Sequence, residues 1–468
     1  MNEPNNLIYP TVNLFLYDLR DGLGQENNSI ETNRRNFWKK VFSDVPKTEL
    51  LLTENPEADY LRLAGNTFYN DAPTAHLDGY YSVRLLGDTY ALQINCSGKY
   101  KDPKNQKKND QKQSIGNLKD IKQEIVNWLN KDYSQPEVLS EKRGTIGQTW
   151  VVWAQKVDSQ EDRQIAEKCC QQLIPNPKWK PNFQEHGQWL SAGVFEYWHL
   201  PSNWSKDWDQ FSQENYHIII MLFPAGKSLD KVREDMANAY KHLTHLLYYR
   251  HKVLWSYWQS RRKKVQLKER YEIIKKLIDR GIEYSEKLPS QSLFKDLESI
   301  LKEALNVAPK YSFDLNFLDA QSYTIRVNID NYQKRLKYIA PEDSGINLKN
   351  LQQFSSFAEE KYWQQVKTDY AILSPGLQLL ENLNKTINGI IAIEQTKRDR
   401  SLNQTMIIVG IGLGASQITT LVMIAQNRPE PETPFYQTSA FGGGISTGIL
   451  TSAIATLIIA ILPRIFRK

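Results

Sequence analysis

Residues 406–425, MIIVGIGLGASQITTLVMIA, carry no charged side chain, and no charge interrupts the chain from Ser401 to Asn427. A second uncharged stretch, 433–463, has at its centre GISTGILTSAIATLIIAIL, residues 444–462. About 20 apolar residues cross a hydrocarbon layer of about 30 Å as a helix. A buried helix of that length in a soluble body is rarely apolar on every face. The pattern therefore predicts two membrane spans in a C-terminal hairpin. Lys397, Arg398 and Arg400 precede the first span, and Arg464, Arg467 and Lys468 follow the second. The connecting loop sets Arg428 against Glu430 and Glu432. The positive-inside rule then expects a multi-pass protein of the cell (inner) membrane with both termini in the cytoplasm.

Outward from the hairpin, composition narrows the class. Lys plus Arg is 59 and Asp plus Glu is 53, a formal charge of only +6 over 468 residues. That balance is not the footprint of a dedicated nucleic-acid binder. Three cysteines, two of them adjacent (Cys169 and Cys170), exclude a disulfide scaffold and a four-cysteine zinc site.

The N-terminal half reads as mixed α/β. Strands are expected at 7–19, at 149–155 (TWVVWAQ), at 189–198 (WLSAGVFEYW) and at 216–223 (YHIIIMLF), with a hairpin over 78–97 turning at Gly87-Asp88. Helices are expected at about 33–42, 117–130 and 159–173, and the Lys-, Asn- and Gln-rich run 99–113 reads as a solvated loop. After Pro224-Ala225-Gly226 the pattern changes. Residues 229–288 are almost free of helix breakers and predict a long bent helix or a close pair, stopped by Pro289. A helix at 292–308, an extended piece at 322–329, a helix at 331–339 and a last helix from 347, interrupted near Pro375, complete the expectation. Leu380, Leu383, Ile387 and Ile390 keep a 3-4-3 spacing that suits a coiled-coil stalk. The expected architecture is an α+β cytoplasmic domain with a long helical stalk and a two-helix transmembrane hairpin. Its divisions are 1–225, 226–345, 346–403 and 404–468.

Catalytic patterns fail on context. Gly444-Ile445-Ser446-Thr447-Gly448 matches a nucleophile elbow but lies in an apolar span. Gly410-Ile411-Gly412-Leu413-Gly414 resembles a dinucleotide loop without the preceding strand. No enzyme activity is expected. Gly410 and Gly414 read better as close-packing positions between membrane helices. Asn403, Gly410, Gly414, Gln417 and Asn427 share roughly one helical face, lining a pore or packing helices through amides. His242 and His245 are spaced for a shared metal, but no third ligand recommends itself. Arg261, Arg262, Lys263 and Lys264 form the densest charge run. It reads as a solvated helix face, with anionic lipid or a phosphate-bearing ligand as the alternatives.

This order of elements resembles the CorA family of divalent-cation channels, whose signature is Gly-Met-Asn at the outer end of the first span. Here that place reads Ala425-Gln426-Asn427, followed by Arg428-Pro429-Glu430-Pro431-Glu432. Only the asparagine agrees, and Arg428 sets a positive charge just outside. The resemblance implies a homopentamer in membrane lipid, passing divalent cations such as Mg²⁺ along the first spans, with Asn427 contacting the hydrated ion. No organic cofactor and no nucleic-acid partner are implied. The alternative expectation is a membrane effector of a bacterial antiviral system, gated by a small nucleotide or other ligand.

Overall fold

The computed structural model describes residues 6–398 apart from 23, 43–59, 68–77, 98–111, 131–142, 158–160, 177–178, 205–206, 286–290, 342–343 and 345. Strand β1 (Asn6–Leu19) is the hub of a nine-stranded sheet. It pairs antiparallel with β4 (Thr89–Ser97), with β6 (Gly147–Lys156) and, at its start, with the short β5 (Lys112–Ser114). Beyond β4 lie β3 (Asp78–Leu86) and the edge strand β2 (Leu61–Thr67). Beyond β6 come β9 (Tyr216–Phe223), β8 (Ala192–His199) and the other edge strand, β7 (Phe183–Trp189). Among the described residues only the β6–β9 pair is parallel.

The period-two alternation of strands sorts side chains between the two faces. Leu14, Leu16, Leu92, Ile94, Val152, Ile218 and Ile220 point to one face. There they join residues of α1 (Asn27–Val41), α2 (Asn117–Leu129) and α3 (Asp162–Leu173), with Ile121, Ile125, Ile165, Cys169 and Leu173 filling the layer. The intervening residues face the other way, onto the first part of the helix Leu229–Ser285. Trp153 Nε1 donates to Tyr240 Oη at 2.8 Å, and Tyr17 Oη donates to the Thr244 carbonyl at 2.8 Å. With the heptapeptide Trp208–Glu214 counted as α4, this long helix is α5. It is followed by α6 (Gln291–Ile339), α7 (Lys349–Phe357), a π-helical turn (Ala358–Trp363), α8 (Gln364–Leu373) and α9 (Pro375–Arg398).

The chain divides into two units. Unit one comprises Met1–Ile273 and Pro309–Gly376 and holds the sheet. Unit two comprises Ile274–Ala308 and Leu377–Lys468. Its described part is helical, with a core of Ile274, Leu277, Leu293, Leu297, Ile300, Leu380, Leu383 and Ile387. A methyl group at Gly281 would fall 2.7 Å from Leu383 Cδ1, so two helices meet closely at that glycine. The apolar seam beginning at Leu380 is thus covered within its own chain.

Several expectations are corrected. The α+β arrangement with long helices is present, but the transmembrane hairpin and the multi-pass membrane location are not supported. No helix among the described residues is long and apolar enough to cross a membrane. Even the longest, Leu229–Ser285, buries an apolar stripe against protein and studs its remaining surface with charges such as Arg262, Lys268 and Glu272. The apolar stretches 406–425 and 444–462, with Asn403, Gly410, Gly414, Gln417, Asn427, Glu430 and Glu432, lie outside the described residues. The strand expected over 189–198 is present from Ala192 as β8, but Trp189 ends β7, and the two strands form a hairpin turning at Leu190 (φ +56°) and Ser191 (φ +66°). Two successive residues at positive φ make the turn whose twist suits adjacent antiparallel strands. The three pieces expected between 292 and 339 are one helix that carries Pro309 inside it. Within it Leu318, Ile325, Ile329, Tyr332 and Leu336 are buried at helical spacing, so packing overrides the β-branched character of 322–329.

Candidate functional site: a buried acid–histidine–hydroxyl chain

Five polar residues meet on the sheet face that α5 covers. The β8–β9 register aligns Glu196 with Ile219 and Trp198 with His217, so Glu196 and His217 are diagonal neighbours on one face. The parallel β6–β9 register aligns Trp150 with Ile218. The residues just before them, Thr149 and His217, therefore lie side by side on the opposite face. Helix α5 brings Arg250 and His251 down onto these three.

The contacts are continuous. His217 Nε2 lies 3.0 Å from Glu196 Oε1, and His217 Nδ1 lies 2.8 Å from Thr149 Oγ1. On its other side Thr149 Oγ1 lies 2.7 Å from His251 Nε2. None of the four is more than 2% exposed. One pattern of protons satisfies every contact with both imidazoles neutral: His251 Nε2–H donates to Thr149, Thr149 donates to His217 Nδ1, and His217 Nε2–H donates to the Glu196 carboxylate. In that pattern His251 Nδ1 is a bare acceptor, and it has no hydrogen-bond partner among the described residues.

Arg250 supplies the positive charge, but at a distance. Its nearest guanidinium nitrogen is 4.0 Å from Glu196 Oε1, too long for a hydrogen bond. Its Nε, Nη1 and Nη2 have no hydrogen-bond partner among the described residues, and neither does Glu196 Oε2. The guanidinium lies over the Phe354 ring at 4.1 Å and the Trp198 ring at 5.0 Å. Tyr332 and Tyr362 complete the charged and titratable surroundings.

Electrostatics follow from this geometry. Burial pushes the Glu196 carboxyl up to about 7, although Arg250 pulls it down. Burial likewise lowers Arg250 despite the attraction of Glu196. At both partners desolvation outweighs the mutual attraction, as expected for charges that do not touch. His217 is held well below its ordinary value by burial, then by Arg250 and His251. His251 is lowered by burial, then by Arg250.

The order acid, imidazole, hydroxyl is also that of an activated nucleophile. Here the hydroxyl of Thr149 is wholly buried and its far side is taken by His251. A cavity lined by residues including Arg143, Gly147, Gln148 and Ser212 has room for about one water and no substrate.

The basic run stands elsewhere on α5 and is neither a solvated stripe nor an open anion site. Arg261 Nη2 and Lys264 Nζ pair with Asp369 at 2.5 and 2.7 Å. Lys263 Nζ pairs with Asp314 at 2.8 Å, and Arg270 pairs with the same carboxylate. Arg262 lies over the Trp258 ring at 5.0 Å. Of the two histidines spaced for a metal, His245 stacks on Tyr60 with centroids 4.8 Å apart, and His242 lies against Tyr338. No group of three or more metal-ligating side chains occurs among the described residues.

Thr149, Glu196, His217, Arg250 and His251 were not signalled by any motif. The signal that exists is subtler: a histidine in YHIIIMLF and a glutamate in AGVFEYWH, each polar in an otherwise apolar strand. No protein-family model matches this chain, and no curated protein matches it. The resemblance to the CorA family rests on the residues quoted for it alone.

Proposed function

We propose that the protein is a non-catalytic transducer, in which the charge state of the Glu196–Arg250 couple sets how the long helices pack on the sheet. One observation carries this reading: a buried carboxylate and a buried guanidinium are held 4.0 Å apart without a hydrogen bond, where sheet and helices converge. A buried pair of this kind is a poor stabiliser, because desolvation of two ions exceeds an attraction exerted across a gap. Such a pair is useful when its balance has to change. Neutralising Glu196 leaves Arg250 without a counter-charge between Trp198 on β8 and Phe354 on α7, so those elements must readjust. Ion conduction, expected from the CorA resemblance, has no carrier among the described residues and forms no part of this proposal.

Hydrogen exchange on the full chain tests it. Glu196→Gln imitates the neutral carboxyl at nearly the same volume. At a pH where Glu196 is ionised, the variant should alter amide exchange in Gln291–Ile339 and Lys349–Phe357. Asn117–Leu129 and Asp162–Leu173, on the opposite face, should stay unchanged. Exchange altered only in β8 and β9 would overturn the transducer reading.

A further inference from the structure

We propose that His251, Thr149 and His217 form a proton relay that loads and unloads Glu196 from the water-sized cavity beside Gly147. Gly147, which lines this water-sized cavity together with Arg143, Gln148 and Ser212, also packs against the relay's open end. His251 Nδ1 lies so close against this glycine that a methyl group on it would come within 2.4 Å of the nitrogen. Of the four ring nitrogens of His217 and His251, Nδ1 of His251 is the one that lacks a partner among the described residues.

The transfers balance. A proton from water binds His251 Nδ1, and that ring passes its Nε2 proton to Thr149 Oγ1. Thr149 releases its own hydroxyl proton to His217 Nδ1, and His217 gives its Nε2 proton to Glu196. No heavy atom moves, both imidazoles exchange tautomer, and the net change is one proton carried from the cavity to the carboxyl. Afterwards every hydrogen bond survives with its direction reversed. Loss of the proton runs the same path backwards.

The surroundings decide what the proton does. Glu196 is faced by His217 from β9, by Arg250 from α5 and by Tyr332 from α6, while Tyr362 from the π-helical turn faces Arg250 and His251 reaches His217 through Thr149. Both imidazoles are held neutral by burial and by the positive charge of Arg250, so a proton finds its resting place at the carboxyl and not on a ring. The relay therefore supplies the trigger for the transducer reading and rests on it for its consequence, though not for its existence.

Infrared spectroscopy after a pH jump reads the relay directly on the full chain. The C=O band of a protonated carboxyl should grow in on acidification between about pH 9 and about pH 5, and Glu196→Gln should remove it. Thr149→Val keeps the shape and deletes the hydroxyl, so the band should grow at least roughly tenfold more slowly. Thr149→Ser restores the hydroxyl and should restore the rate, which separates loss of the relay from loss of the fold. Unchanged kinetics in Thr149→Val, or no band assignable to Glu196, would overturn the relay. Slowed loading with unaltered helix exchange in Glu196→Gln would keep the relay and remove the transducer. Altered exchange with full-rate loading in Thr149→Val would do the reverse.

Discussion

Arg250 and Arg261 stand about three turns apart on one helix and are treated in opposite ways. Arg261 reaches Asp369 at contact distance, and Lys264 shares the same carboxylate. Lys263 and Arg270 likewise converge on Asp314. Asp314 and Asp369 are each nearly sealed from solvent and each take two cations. Arg250, more deeply buried than any of these, faces its carboxylate across a gap and rests on aromatic rings. The first arrangement fastens α5 to α6 and α8 within unit one. The second leaves charge uncompensated where the sheet meets the helices. Burial alone therefore does not mark a structural ion pair; closure of the contact does.

The largest expected effect separates the two arrangements by stability. Asp369→Ala strands Arg261 and Lys264 beside a hole and should cost roughly 3–5 kcal/mol, as breaking a buried pair does. The double variant Glu196→Gln/Arg250→Met removes both charges together. It should be close to neutral or stabilising by roughly 1–4 kcal/mol, because the desolvation penalty goes with the attraction. Urea unfolding of the full chain measures both. A double variant as costly as Asp369→Ala would mean that the Arg250 site is an ordinary structural pair after all.

The next effect depends on pH. Glu196 is pushed up to about 7 in the folded chain, against an ordinary value of 4.5. A raised carboxyl adds stability at low pH, where it holds its proton in both states, and that contribution is lost as pH rises through the folded value. Relative to Glu196→Gln, the wild type should lose roughly 3 kcal/mol between about pH 4.5 and about pH 7. His217 and His251, both lowered, act with the opposite sign: their contribution is present above their ordinary value and falls away under acid. They are present in both proteins and cancel in the difference. Parallel stability curves for wild type and Glu196→Gln across that window would show that the carboxyl does not titrate there.

These tests concern residues the sequence concealed, and the reason is physical. Where local pattern dictates structure, the fold is legible: the strand over 216–223 and the Gly87-Asp88 turn are where a short continuous apolar run and a glycine place them. The Leu190-Ser191 turn was not legible, because neither residue is of the type that favours positive φ and only the pairing of β7 with β8 imposes it. The continuity of Gln291–Ile339 through Pro309 was hidden for the same reason, being decided by what the helix packs against. The site was least legible of all. Thr149 and His251 are 102 positions apart, and no spacing rule joins them. The basic run is conspicuous in sequence, but Asp314 and Asp369, which neutralise most of it, come from distant helices.

The same basic run carries the smallest effect. Arg261, Arg262, Lys263 and Lys264 look equivalent in sequence, yet three are ion-paired to buried aspartates and Arg262 lies on the exposed side, over the indole of Trp258. An exposed cation over an aromatic face contributes about 0.5–1 kcal/mol. Arg262→Ala should therefore lower stability by no more than that. Arg261→Ala, which leaves Lys264 alone with a buried carboxylate, should cost more. Salt sharpens the distinction: the screening length shrinks from about 10 Å at 0.1 M to about 3 Å at 1 M, which weakens exposed electrostatic contacts and spares buried ones. The Arg262→Ala deficit should fade at high salt, whereas most of the Arg261→Ala deficit should persist. If the two substitutions cost the same and respond alike to salt, Asp369 does not distinguish them. The contrast between a closed pair on α5 and the open one at Arg250 would then lose its reference.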